Sequence, residues 1–172
     1  MQLNLSESAR ATTAEESKYR IDYPNSLPRV SRIIALDDGS LDALRTIKDK
    51  PWNGARFLRY VKSTPGSEKL PTLPVDAILE DTGGDRFHLS DEIKDADIIV
   101  MVTTVGCAAG AAEVIGNACL VRGKRASGLV RLTGDHMDQL SRTLLSLRPY
   151  AAMLVVSSGD EYIAEMLTAL RA

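Results

Sequence analysis

The residues best suited to chemistry in this chain lie in one short corner, Thr104-Val105-Gly106-Cys107-Ala108-Ala109-Gly110. An apolar run stops there and a helix-like pattern follows at once. Gly106 and Gly110 let backbone approach a ligand closely, and Ala108 and Ala109 keep the corner small. Unpaired N–H groups at the start of the following helix carry partial positive charge, so a phosphate or carboxylate finds donors there without a basic side chain. The lysine of a P-loop and the spacing of a dinucleotide fingerprint are both missing. The same small residues equally suit close packing of a helix on a sheet, and both readings stand at this point.

Other loops carry weaker signals. Cys107 sits at the same helix start, where the dipole should lower a thiol pKa and favour a nucleophilic or redox role. No histidine or resolving cysteine lies near it in sequence, and Cys119 sits twelve residues along on another face, so buried, inert thiols are the plainer expectation for both. Asp37-Asp38-Gly39-Ser40 places two acids after the first strand. They can hold Mg²⁺ through oxygen ligands, with Asp81, or simply cap the next helix, the reading preferred here. Gly83-Gly84 with Asp85 is a turn first and a ligand loop second. His136, after Gly134-Asp135, is placed where acid–base chemistry can occur, although a lone loop histidine is usually just solvated. Arg122, Lys124 and Arg125 form a small basic cluster at a helix end. His88 and His136 have no ligand spacing, so no metal site is expected.

The elements that must hold these residues follow a strand–helix rhythm. Apolar runs predict strands over residues 30–36, 55–61, 76–80, 97–103, 126–132 and 152–156. Helices are predicted over 41–49, capped by Ser40, over 91–94, capped by Ser90, and over 109–121, 137–147 and 160–170. Residues 63–74 hold three prolines and are expected to form a loop. The segment "DIIVMVT", apolar throughout, points to the centre of a parallel sheet buried on both faces. Repeated strand–helix–strand units predict a single three-layer α/β domain with a mostly parallel, Rossmann-like sheet over residues 29–172. Residues 1–28 read as an extension, partly helical over 6–18, in which Leu3, Leu5, Tyr19, Ile21 and Tyr23 offer apolar contacts to a neighbouring subunit. In such folds ligands bind beyond the carboxyl ends of the strands, so the loops to inspect are 37–40, 81–85, 104–110, 133–136 and 157–160.

Composition narrows the class. With 172 residues, 44% of them apolar and 26% charged, the chain can bury one core without disulfides. A formal charge of −2 gives no general attraction to nucleic acid or an anionic membrane. No apolar run is long enough for a membrane span, and no secretory signal is seen at the N-terminus, so a cytoplasmic protein with reduced thiols is expected.

The order of the pieces carries a family likeness. "LSDEIKDADIIVMVTTVGCAAGAAEVIGNA" resembles a segment of the bacterial tubulin homologue FtsZ, in which a short acidic helix, an apolar strand beginning Ala-Asp, a Gly-rich phosphate loop and an Ala-Ala helix start follow in turn. "KRASGLVRL" and "DHMDQLSRTLLSLRPYAAMLVVSS" are similar to the strand, long helix and strand that come next, and "RVSRIIALDDGSLDAL" and "GARFLRYVKS" to the first strand, loop and helix and the second strand. The likeness spans most of residues 29–170, as pattern more than identity. It implies an FtsZ/tubulin GTPase-type domain with a guanine nucleotide as its ligand.

The departures shape what is expected of it. The family's GGGTGTG loop is longer than Gly106–Gly110, its first loop is a run of glycines where this chain has Asp37-Asp38-Gly39-Ser40, and its catalytic acidic loop and second domain lie beyond Ala172. The expectation is therefore a non-hydrolytic, degenerate domain that acts as a binding or assembly module with a protein partner or further copies of itself. Weak nucleotide or anion binding would fall to Thr104, Gly106, Cys107, Ala108, Ala109 and Gly110, with Gly39, Ser40, Gly83 and Gly84 as further contacts. No catalytic residue is assigned. The competing expectations are a small Rossmann-like enzyme acting on a nucleotide or phosphorylated metabolite, and a thiol-dependent protein using Cys107.

Overall fold

The computed structural model describes residues 27–65, 75–134 and 137–172. Seven strands form one sheet in the order β4-β3-β2-β1-β5-β6-β7. They are β1 (Ser31–Ala35), β2 (Ala55–Pro65), β3 (Val75–Asp81), β4 (Arg86–His88), β5 (Ile98–Thr104), β6 (Arg125–Arg131) and β7 (Met153–Ser157). Five helices join them: α1 (Asp38–Ile47), α2 (Leu89–Lys94), α3 (Ala111–Val121), α4 (Met137–Leu147) and α5 (Glu161–Ala169). β2, β1, β5, β6 and β7 run parallel, while β3 and β4 add an antiparallel edge. Every residue of β5 is buried, as a strand with parallel neighbours on both sides and helices on both faces must be.

Alternation along the strands sends side chains to two cores. Ile34, Ile99 and Met101 meet Leu89 and Ile93 of α2, Ile115 of α3 and Leu147 of α4 on one face. Ile33, Val100 and Val102 meet Leu44 of α1 and Leu167 of α5 on the other. The result is the expected three-layer α/β domain. Residues 1–26, and with them the helix expected over 6–18, lie outside the described residues.

The departures from expectation are local and have causes. β2 continues through Ser63 and Thr64 to Pro65, paired with β3 as far as Pro65↔Val75, so the loop expected from residue 63 begins later. A proline at the end of a paired run withholds no ladder bond that matters. β4 has only three residues, too few to show a period. Ser90 does not cap α2: the helix starts at Leu89, and Ser90 gives its N–H and Oγ–H to the buried carboxylate of Asp76 on β3. α1 likewise starts earlier than expected, because Asp37 rather than Ser40 is its N-cap. No helix among the described residues is long and apolar enough to cross a membrane.

Candidate functional site

The parallel strands deliver the loops 36–40, 105–110, 132–134 and 158–160 to one edge of the sheet, where a ligand crevice is expected between β1 and β5. Gly39, Ser40, Thr104, Gly106, Cys107, Ala108, Ala109 and Gly110 all come to this edge. Gly83 and Gly84 do not. β3 runs antiparallel to β2 with Asp81 opposite Leu58, so their turn lies at the other edge, where the parallel strands begin. Asp81 is consequently no partner for Asp37 and Asp38. It accepts from the N–H groups of Gly83 and Asp85 and sits 3.7 Å from the Arg56 guanidinium. Burial opposes its charge, but those backbone bonds and Arg56 outweigh it and hold the carboxyl below the ordinary range. Asp135 and His136 lie outside the described residues.

Asp37 occupies the crevice itself. Its Oδ1 accepts from Ser40 N at 2.8 Å and Thr104 Oγ1 at 2.9 Å, and its Oδ2 from Thr104 N at 2.7 Å and Thr103 Oγ1 at 2.9 Å. Ser40 returns the favour, its hydroxyl accepting from Asp37 N, which completes a capping box. Partial burial would raise the Asp37 carboxyl, yet the donors from Ser40, Thr104 and Thr103 prevail and hold it below its usual value. The amino end of α1, a natural place for a phosphate, therefore already holds an anion belonging to the chain. Gly39 belongs to the same closure, since a Cβ there would stand 2.9 Å from Thr104 Oγ1.

Arg131, at the end of β6, ties the remaining loops to this cluster. Its guanidinium grips Asp160 with two hydrogen bonds, at 2.8 and 3.0 Å, and gives Nη1 to Gly39 O at 2.6 Å and Thr104 Oγ1 at 3.3 Å. Its side chain is only 12% exposed. Thr103 and Arg131 carried no signal in the sequence as site residues, and Asp160 only its place in the 157–160 loop, because the three meet only when strand ends are brought side by side.

The 106–110 loop presents a different face. Gly106 takes φ +84°, and a Cβ there would collide with Gln139 Oε1. Its N–H donates to Thr143 Oγ1 at 3.1 Å, so this corner is closed against α4 and the Gly106 N–H is already used. Beyond it the loop opens. Gly110, the N-cap of α3, has nothing within 4 Å of a Cβ position, and α3 has no side-chain cap. Beside the loop lies a cleft of about 270 Å³ walled by Cys107, Ala109, Gln139, Arg142, Thr143 and Ser146. Arg142 is exposed and makes no ion pair among the described residues. Gln139, Arg142, Thr143 and Ser146 stand at i, i+3, i+4 and i+7 on α4, a polar stripe legible in the sequence, but only the packing says which loop it faces. A second cleft, about 380 Å³, lies across Cys107 and Ala108 between Asp37, Asp38, Arg59 and Tyr60.

Cys107 corrects two expectations, burial and a lowered pKa. α3 begins at Ala111, so the thiol is not in the first turn, and it is exposed on the loop. Partial burial and the nearby carboxylates of Asp37 and Asp38 push its pKa up rather than down, which disfavours thiolate. Cys119 is buried in α3 and pushed up to about 12 by that burial. Among the described residues, no group of three His, Cys, Asp or Glu side chains is placed to hold a metal ion. No family model matches the chain, and no curated protein matches its sequence.

Proposed function

We propose that this chain is a non-hydrolytic, FtsZ/tubulin-like binding or assembly module that takes a small anion at its 106–110 loop, with nucleotide phosphate the first candidate. One observation carries the reading: the uncapped amino end of α3 opens beside a cleft whose Arg142 has no carboxylate partner among the described residues. N–H groups at the start of α3 and a guanidinium are donors of the kind a phosphate or carboxylate needs, whereas the Ser146 hydroxyl is already given to Thr143 O at 2.7 Å. The family part of the reading rests on the sequence likeness centred on residues 89–118, with which the strand–helix order is compatible. Binding rather than turnover is supported by the state of the polar groups in the crevice. Asp37 spends both oxygens on donors of its own chain, and Arg131 is committed to Asp160 and Gly39. With the α1 helix end filled by Asp37, that terminus is closed to an anion, so weak affinity is expected.

Thermal shift with pyrophosphate, GTP, ATP, NAD and FAD tests the reading. A bound ligand at one hundred times its Kd stabilises by about 2.7 kcal/mol, whereas no shift with any of them sinks the anion-binding part. Gly110→Asp sends a carboxylate into open space and should leave stability within about 0.5 kcal/mol while abolishing the shift. Unchanged affinity in that variant would show that the loop is not the site. Light scattering tests assembly, and a strictly monomeric chain at high concentration would leave no role for self-association.

A further inference from the structure

The opposite edge of the molecule carries a second, unrelated surface. α3 ends in a Schellman motif: Gly123 takes φ +64°, its N–H donates to Leu120 O, and Lys124 N donates to Cys119 O at 2.8 Å. The chain then turns directly into β6. Gly116, one helical turn back from Leu120, has no side chain because Tyr150 lies against α3 there, and a Cβ would collide with the Tyr150 Cβ. Tyr150 thus brings the turn between α4 and β7 close to α3, and between them lies a cleft of about 290 Å³. Its lining includes Leu120, Tyr150, Ala151 and Asn117, with Lys124 and Arg125, and among the described residues no carboxylate lines it.

Two features coincide at this place, exposed apolar side chains and a cluster of cations in a chain of net charge −2. Leu120 is 78% exposed and its neighbour Val121 44%, apolar side chains left in water beside the cleft. Around them Arg122, Lys124 and Arg125, with Arg148 just before the Pro149 of the cleft wall, make no ion pair among the described residues. The carboxyl ends of α3 and α4 both point to this edge, and their dipoles account for cations there. They do not account for exposed leucine and valine set among those cations, a combination that suits an apolar anchor flanked by negative charge.

We propose that this cleft is a docking site for an acidic protein segment, which seats one apolar side chain against Leu120 and Tyr150 and lays its carboxylates on Lys124, Arg125 and Arg148. The charge of the rim selects the sign of the partner. The recess, closed on two sides by α3 and the 149–152 turn, selects a protruding side chain over a flat lipid surface. Asn117 in the wall supplies an amide that can pair with the backbone of an extended segment.

Fluorescence anisotropy with the labelled peptide Glu-Glu-Leu-Glu-Glu-Phe-Glu-Glu, run beside the same peptide with lysine in place of glutamate, tests this directly on the full chain. The acidic peptide is expected to bind, more weakly as salt rises, and the basic one not to bind. The double variant Arg125→Glu/Arg148→Glu should weaken binding by about tenfold or more, and Leu120→Asp by a similar factor. Leu120, Arg125 and Arg148 are exposed, so all the variants should melt as the parent does, and Arg125→Gln/Arg148→Gln should fall between parent and charge reversal. The proposal is overturned if the acidic peptide does not bind, if both peptides bind alike, or if the charge-reversed chain binds as well as the parent. Co-sedimentation with phosphatidylserine vesicles in the absence of peptide binding would also overturn it, assigning the surface to a membrane.

Discussion

Asp37 shows how a single side chain can decide what a loop does. A glycine in its place would leave the amino end of α1 and the Thr103–Thr104 donors open; an aspartate satisfies them from within. Asp37→Asn keeps the shape but loses the charge, and one amide N–H₂ must face a donor. It should cost roughly 1–2 kcal/mol in chemical denaturation. The pH dependence follows from the depressed carboxyl. Its folded-state pKa lies below the unfolded one, so its contribution is complete above the ordinary aspartate range and is lost as pH falls through the lower folded value. The parent should therefore lose stability more steeply than Asp37→Asn as pH drops through the acid range. Equal slopes would show that Asp37 is not held as described. At the same scale, Cys107 should alkylate at neutral pH no faster than a free thiol, and Cys119 not at all until the chain unfolds, as mass spectrometry of iodoacetamide-treated protein would reveal. A fast-reacting Cys107 would revive a thiol-dependent role.

Elements, rather than residues, set the shape of the two clefts. The near cleft is walled by α4 and by the 106–109 loop that leads into α3, and the carboxyl end of α3 supplies Leu120 and the Gly123 turn at the far edge. Beside its core contacts, α3 is approached closely at Gly116 by Tyr150, and the loop before it at Gly106 by Gln139. Gly116→Val should displace Tyr150, cost about 1–3 kcal/mol in thermal or chemical melts and reshape the far cleft. A variant as stable as the parent would mean that Tyr150 moves aside freely. The elements themselves were largely legible in the sequence, because apolar period and capping residues act locally. The run Asp97–Thr103 read correctly as a strand buried on both faces, within one residue of β5. β4 and the antiparallel direction of β3 were not legible, since three residues show no period and strand direction is settled by pairing partners far along the chain.

For the whole molecule, like charges cluster locally although each edge of the sheet carries both signs. Asp37, Asp38 and Asp160 gather where the parallel strands end, beside Arg131, and Arg122, Lys124, Arg125 and Arg148 lie where α3 and α4 end. A net charge of −2 conceals this clustering, because summing charges discards their positions. The two proposed surfaces are consequently separable. Gly110→Asp should spare peptide binding, and the Arg125/Arg148 variants should spare any anion binding, since α3 stands between them as a rigid element.

By itself, the sequence determined the class of fold, the central strand, the small-residue corner at Gly106–Gly110 and the acidic loop after β1, all of which follow from local periodicity and residue type. Tertiary structure alone decided how those loops meet. It placed Gly83-Gly84 at the wrong edge to join the crevice, set Thr103, Thr104 and Arg131 around Asp37 and Gly39, and faced the polar stripe of α4 onto the 106–110 loop. The physical reason is distance along the chain. Hydrogen bonds such as those from Thr104 to Asp37 and from Arg131 to Gly39 join residues 67 and 92 positions apart, and no local pattern records a contact that only sheet pairing creates.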